Sequence, residues 1–160
     1  NKKAFTVADS QVATRWGNIT EFKDFDLITP NEREARFALA DQDSTVGKLS
    51  GLLQETAKYK NLILKLGDRG VFCASSSSKE KSTYFSVDSF SNKIVDPIGA
   101  GDALLAYSTL TMLSSGSLVL SSIIGSIAAG CECEIDGNVP ITPQNIIDKI
   151  NILEKQVNYK

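Results

Sequence analysis

The chain has 160 residues and a mass of 17.3 kDa, with 42% hydrophobic and 22% charged residues, which is typical of one folded domain and excludes a disordered or collagen-like chain. Its 17 basic and 19 acidic residues give a net charge of -2, so we expect neither nucleic-acid nor membrane partners. The absence of histidine excludes Ser-His-Asp and Cys-His catalysis and imidazole-based zinc sites. Acid-base chemistry therefore falls to carboxylates, Lys, Tyr or Cys.

Strands and helices are predicted to alternate through the first half of the chain, and helices dominate the second half. Short apolar runs predict strands over residues 4–8, 26–29, 61–66, 71–74, 84–87 and 93–95. Apolar residues at helical spacing predict helices over residues 30–40, 46–59, 102–113, 118–132 and 143–157. The turn Gly67-Asp68-Arg69-Gly70 predicts that the strands on either side of it pair. This pattern favours an open α/β sheet with ligands at the carboxyl ends of its strands.

One segment suggests chemistry more strongly than the rest, and it runs Val95-Asp96-Pro97-Ile98-Gly99-Ala100-Gly101-Asp102. Two glycines turn a strand end into a helix, and converging N–H groups at a helix N-terminus favour an anion. An acid at this place can accept the proton of an attacking hydroxyl during phosphoryl transfer. Asp102 could instead cap its helix, and the residues of this segment leave both interpretations open.

Two familiar phosphate-binding loops do not fit the sequence. A Walker A loop around Gly47-Lys48 requires a glycine and a hydroxyl residue where the chain has Gln42 and Leu49. A dinucleotide fingerprint that starts at Gly99 requires its third glycine where the chain has Leu104.

The run Gly99-Ala100-Gly101-Asp102, preceded by Asp96, resembles the signature of the ribokinase-like (PfkB-type) carbohydrate kinases. Two further motifs of that family match in order, Thr29-Pro30-Asn31-Glu32-Arg33-Glu34 and Leu66-Gly67-Asp68-Arg69-Gly70. Within the family, the chain most resembles the kinase domain of the bacterial heptose 7-phosphate kinase/ADP-heptose synthase group. The resemblance implies a ribokinase-like three-layer α/β/α fold with a mostly parallel open sheet. It also implies transfer of the γ-phosphoryl of ATP to a sugar or sugar-phosphate hydroxyl, with a heptose 7-phosphate as the expected acceptor.

Roles for single residues follow from the same resemblance. Asp102 is implied as the catalytic base, with the N–H groups of Gly99, Ala100 and Gly101 facing the migrating phosphoryl. Asn31 and Glu34 are implied to hold Mg²⁺ through water. The carboxylate of Asp96 and the carbonyl of Ile98 are implied ligands of a monovalent cation such as K⁺. Further implied nucleotide contacts are Lys65, Gly67, Asp68, Gly70, Gly130, Gly137 and Asn138, where Lys65 replaces a threonine that is common in the family.

The sugar-binding strands and lid that these kinases carry in their first half have no match here. We therefore expect residues 1–160 to be the C-terminal, nucleotide-binding part of a carbohydrate kinase domain, with an open sheet edge that could form a homodimer. Three cysteines and no secretory signal favour a cytoplasmic protein. Alternatives are a non-catalytic nucleotide-binding or assembly module, and a vitamin or hydroxymethylpyrimidine kinase of the same fold. The Asn31/Glu34 pair favours the sugar kinases.

Overall fold

The computed structural model describes residues 4–10, 18–76, 83–137 and 139–158. The chain divides into two compact units, Asn1–Val87 and Asp88–Lys160. Strands and two helices build the first unit, in the order β1 (Val7–Ala8), β2 (Leu27–Ile28), α1 (Glu32–Leu39), α2 (Val46–Ala57), β3 (Asn61–Lys65), β4 (Val71–Ser75) and β5 (Thr83–Val87). Helices build the second unit: α3 (Ala100–Ser115), α4 (Leu118–Cys133) and α5 (Pro143–Asn158).

The sheet of the first unit is mixed, with strand order β1-β2-β3-β4-β5. The strands β1, β2 and β3 run parallel to one another, and α1 and α2 form the crossover between β2 and β3. The strands β3, β4 and β5 pair antiparallel, with Leu64 opposite Phe72 and Cys73 opposite Phe85. The predicted pairing across the Gly67-to-Gly70 turn is therefore confirmed. The parallel part brings the carboxyl ends of three strands to one edge.

The core of the first unit lies between the two helices and one face of the sheet. Alternate residues of the strands point to this face, as the period of two requires. Buried side chains of α1 and α2 pack there against the strands, and the main contributors are Ala35, Leu49, Leu53, Ala57, Ile28, Leu62 and Leu64. This packing fixes where β2 and β3 end and where α1 begins.

The second unit is a set of closely packed helices. A Cβ added at Gly125 of α4 would lie 2.0 Å from the Ser108 hydroxyl of α3 and 3.0 Å from the Leu104 carbonyl, so α3 and α4 approach too closely for any larger side chain. A second cluster joins α4 to α5 through Ile127, Ala128, Cys131 and Ile146. Burial raises the pKa of the Cys131 thiol, as expected for a cysteine in a core.

Two sequence predictions for local structure are wrong. Residues 93–95 form no strand, because the N–H groups of Val95 and Asp96 donate to the Cys133 carbonyl at the end of α4, at 2.7 and 3.2 Å. The helix predicted from residue 102 begins earlier, at Ala100. Among the described residues, no helix combines the length and hydropathy needed to cross a membrane.

Candidate active site

The residues predicted to handle phosphate fall into two groups, one in each unit. The group in the second unit lies at the start of α3. Gly99 is the N-cap residue of this helix, and its φ of 88° is one that an L side chain rarely adopts. Because glycine has no side chain, the helix begins without a side-chain cap. The first turn is closed by the backbone bond from Ala103 N–H to the Gly99 carbonyl, at 2.9 Å.

Backbone N–H groups at this helix start are largely unused. The amides of Gly99, Gly101 and Asp102 donate to no acceptor within the described part of the chain. The amide of Ala100 donates to the Pro97 carbonyl at 3.3 Å, so of the predicted amide donors it is the one already engaged. Free N–H groups together with the helix dipole make a site suited to a phosphoryl group.

Asp102 is the third residue of α3, and its side chain is exposed. It makes no hydrogen bond or ion pair with any described residue. The structure therefore shows no capping bond from Asp102 to its own helix. An unpaired carboxylate beside free amides is instead available to a ligand, and it can accept a proton there.

Asp96 and Ile98, the predicted cation ligands, lie in the turn before α3. The Asp96 carboxylate accepts the Ile98 N–H at 3.0 Å through Oδ1, and the Asp96 amide is tied to the end of α4. This leaves Asp96 Oδ2 and the Ile98 carbonyl without a partner among the described residues. Both are oxygen ligands, which hard cations prefer. The cation site stays a prediction.

The two glycines predicted near the adenine differ in their surroundings. Gly130 is buried in α4, where a Cβ would lie 3.1 Å from the backbone of Phe90 and Ser91. That space is filled by protein, so the structure gives no support to a nucleotide contact at Gly130. Gly137 has a φ of 79°, is exposed and faces open space. Asn138 lies outside the described residues.

The second group of site residues surrounds the start of α1. Asn31 is the N-cap residue, and its side chain accepts the Glu34 N–H at 2.8 Å. The Glu34 carboxylate in turn accepts the Asn31 N–H at 2.8 Å through Oε2, which completes a capping box. The helix predicted from residue 30 therefore begins at Glu32, and Asn31 precedes it. The pair is held rigid, with Asn31 Nδ2 and Glu34 Oε1 left without described partners.

Glu34 is a buried carboxylate, with 6% of its surface exposed. Burial raises its pKa, a change that the hydrogen bond from Asn31 and the charge of Lys65 partly oppose and that the charge of Asp9 reinforces. A hydroxyl from Ser10 also lies 3.4 Å from Oε2. The pKa of Glu34 therefore depends on the charges of Lys65 and Asp9 at this end of the sheet.

Lys65 ends β3, and its ammonium contacts Asp9 Oδ2 at 2.6 Å. Both side chains are mostly buried, with 17% and 20% exposed. A backbone bridge holds Lys65 beside Asn31. Asp9 and Ser10 were not among the predicted site residues. Their position is the signal that could have found them, because they are polar residues that directly follow the first predicted strand.

Gly67 and Gly70 bound a single 3-10 turn between β3 and β4. Both have positive φ, and the turn is closed by the bond from Leu66 N–H to the Gly70 carbonyl at 2.8 Å. Gly67 and Asp68 are exposed, and nothing lies near the place of a Gly67 side chain. A cavity of about 500 Å³ opens beside the turn, lined in part by Asn31, Arg33, Lys65 and Gly67.

The family resemblance implies ATP and Mg²⁺, and each unit separately offers groups of the kinds that these ligands need. Unused N–H groups at the start of α3 suit phosphate oxygens. Glu34 Oε1 and the Asn31 side-chain amide suit water molecules around Mg²⁺, which keeps several waters when bound to proteins. No group of three or more Cys, Asp or Glu side chains is placed to hold a metal directly within the described ranges.

Comparison with known proteins identifies the relatives of the chain. The family model described as pfkB family carbohydrate kinase matches residues 3–143. The bifunctional protein HldE of Pelobacter propionicus is 24% identical over 138 residues, which are 84% of this chain and 27% of that protein.

Solved structures show the same fold. Arabidopsis thaliana ribokinase complexed with ribose and ATP has a TM-score of 0.71 and 21% identity, over 90% of this chain and 46% of that one. Phosphofructokinase-2 from Escherichia coli in complex with potassium has a TM-score of 0.75 and 19% identity, over 92% of this chain and 47% of that one. These likenesses confirm the predicted ribokinase-like α/β fold. The chain spans about half the length of these structures and about a quarter of the curated relative. Because the family model covers most of it, the chain belongs to the pfkB family of carbohydrate kinases.

Proposed function

We propose that this chain is the nucleotide-binding part of an ATP-dependent carbohydrate kinase. The observation that carries the proposal is the exposed, unpaired Asp102 carboxylate beside unused N–H groups at the start of α3. A carboxylate at the N-cap of a helix commonly accepts a backbone N–H bond, whereas Asp102 lies in the first turn and makes no such bond.

In the proposed reaction, Asp102 accepts the proton of the acceptor hydroxyl, whose oxygen forms a bond to the γ-phosphorus of ATP. The bond between that phosphorus and the oxygen bridging to ADP breaks, and ADP leaves. The N–H groups of Gly99 and Gly101 donate to the oxygens of the migrating phosphoryl, which carry the charge of the transition state. These donors are fixed before the reaction, because the glycine turn and α3 hold them.

The first unit would bind the magnesium-nucleotide. Asn31 and Glu34 would hold the water shell of Mg²⁺, which neutralises phosphate charge when bound. Gly67, Asp68 and Gly70 would lie along the nucleotide, since the two glycines have no side chain to keep a ligand from the backbone. Asp96 and Ile98 would hold a monovalent cation such as K⁺, a proposal supported by the oxygen ligands that stay unpartnered there.

We further propose a heptose 7-phosphate as the acceptor. Support comes from the HldE relative, whose likeness extends over 84% of this chain, and from the motif resemblance described above.

The proposal is tested by ³¹P NMR of an intact kinase that contains this chain together with a sugar-binding part, supplied with Mg-ATP and a panel of acceptors: heptose 7-phosphate, fructose 6-phosphate, ribose and hydroxymethylpyrimidine. We expect ADP and a new phosphate ester with the heptose phosphate. Ester formation with the pyrimidine alone would assign the chain to the vitamin kinases. ATP that stays intact with every acceptor, although it binds, would support the assembly module instead.

A further inference from the structure

The parallel part of the sheet brings three charged side chains to one edge. Asp9 directly follows β1, and Lys65 ends β3. Because β2 lies between these two strands, the ammonium of Lys65 reaches across the end of β2 to contact Asp9. Glu34, at the start of the helix that follows β2, interacts electrostatically with both. With all three groups ionised, the cluster carries a net charge of −1.

Asp9 is held firmly in this arrangement. Its Oδ1 accepts the Ser10 N–H at 2.9 Å, and its Oδ2 contacts the Lys65 ammonium at 2.6 Å. Lys65 is equally constrained at its backbone, because its N–H donates to the Pro30 carbonyl at 2.9 Å. The flexible part of the pair is therefore the four-carbon stem of Lys65. Rotation about its bonds can reorient the ammonium group without moving the strand.

A cavity of about 500 Å³ adjoins Lys65, a volume within the range of small-ligand sites. A polyphosphate entering it would meet Lys65 together with Arg33 and Arg36, and Arg36 is already paired with Glu32. While Lys65 pairs with Asp9, its charge is largely cancelled for an incoming anion. Its attraction for phosphate becomes effective when the ammonium leaves Asp9.

We propose that Asp9 is an exchangeable counter-ion of Lys65, from which Lys65 turns to bind the phosphates of a nucleoside triphosphate. The choice of ligand rests on the proposed function. Asp9 is then a positioning residue that holds the Lys65 ammonium in place in the free protein and competes with phosphate for it.

The test measures binding of inorganic tripolyphosphate without Mg²⁺ by isothermal titration calorimetry. Asp9→Asn removes the competitor, and we expect it to bind at least about fivefold more tightly than the wild type at low salt. Lys65→Gln is expected to bind at least about fivefold more weakly. The gain in Asp9→Asn should shrink at about 0.5 M NaCl, because salt screens the attraction.

A matched control exists at the opposite ends of the same strands. Asp26 precedes β2 and pairs with Lys60, which precedes β3. Asp26→Asn removes the same charge from the protein, and we expect it to leave triphosphate affinity within about twofold of the wild type. An equal gain in both variants would assign the effect to net charge and overturn the proposal.

Unchanged or weaker binding by a folded Asp9→Asn variant would also overturn it. If that variant does not fold, ¹⁵N NMR of lysine ammonium groups in the wild type decides: triphosphate should shift the Lys65 signal and leave that of Lys60 in place. A Lys65 signal that does not move contradicts the exchange. These readouts need no phosphoryl transfer, so failure of the kinase assay and failure of the exchange are separate results.

Discussion

Two carboxylates occupy the same position in two helices, and their environments differ completely. Glu34 and Asp102 are each the third residue of their helix. Glu34 follows an asparagine N-cap, closes a capping box and is buried. Asp102 follows a glycine N-cap, takes part in no capping box and is exposed. In these two helices, an asparagine N-cap accompanies an acid that is bonded into the helix start, and a glycine N-cap accompanies an acid that is left unpaired.

The largest effect on stability is expected from the glycine N-cap. Gly99→Ala places a side chain at a φ of 88°, which should cost about 1–2 kcal/mol in the free energy of unfolding. Gly51→Ala in α2 is the matched control, because open space surrounds that position. It should stabilise the protein by about 0.5–1 kcal/mol. Urea unfolding of both variants checks this, and similar midpoints would contradict the role of the positive φ.

The asparagine N-cap is expected to have the next largest effect. Asn31→Ala removes the side-chain half of the capping box and should cost about 1 kcal/mol in the free energy of unfolding. Thr45→Ala at the start of α2 should cost less, because Thr45 accepts a single N–H bond at 3.4 Å. If the Thr45 variant proved the less stable of the two in urea, the capping box would not be what holds Glu34.

A third carboxylate, Asp26, sharpens the contrast because it is paired rather than capped or free. Burial tends to raise its pKa, but hydrogen bonds from Lys60 and Thr6 and the charge of Lys60 outweigh burial and leave its pKa below the ordinary value. A carboxylate whose pKa is lowered by folding adds to the free energy of unfolding at pH values above its unfolded-state pKa of about 4. That contribution is lost as the pH falls through the lowered pKa.

The measurement compares the urea midpoints of wild type and Asp26→Asn at neutral and acidic pH. We expect a wild-type advantage at pH 7 that shrinks below about pH 4, as Asp26 becomes protonated. An advantage that persists unchanged at low pH would show that the Lys60 charge contributes little.

Local features of the fold could be predicted from the sequence, and long-range contacts could not. The turn at Gly67 to Gly70 and the glycine-rich start of α3 follow from the conformational freedom of a few adjacent residues. The pairing of Lys65 with Asp9 joins residues 56 positions apart, and it depends on β2 lying between β1 and β3. A strand at 93–95 was mispredicted because a short apolar run does not reveal that its amides bond to a helix end.

Substitution of Asp102 tests the central claim most directly. In Asp102→Asn of an intact kinase that contains this chain, we expect kcat for phosphoryl transfer to fall at least about a hundredfold, because a general base is lost, while the Kd for Mg-ATP stays within about twofold. Asp148→Asn, an exposed aspartate on α5, should leave both unchanged. Turnover of Asp102→Asn close to that of the wild type would contradict the account.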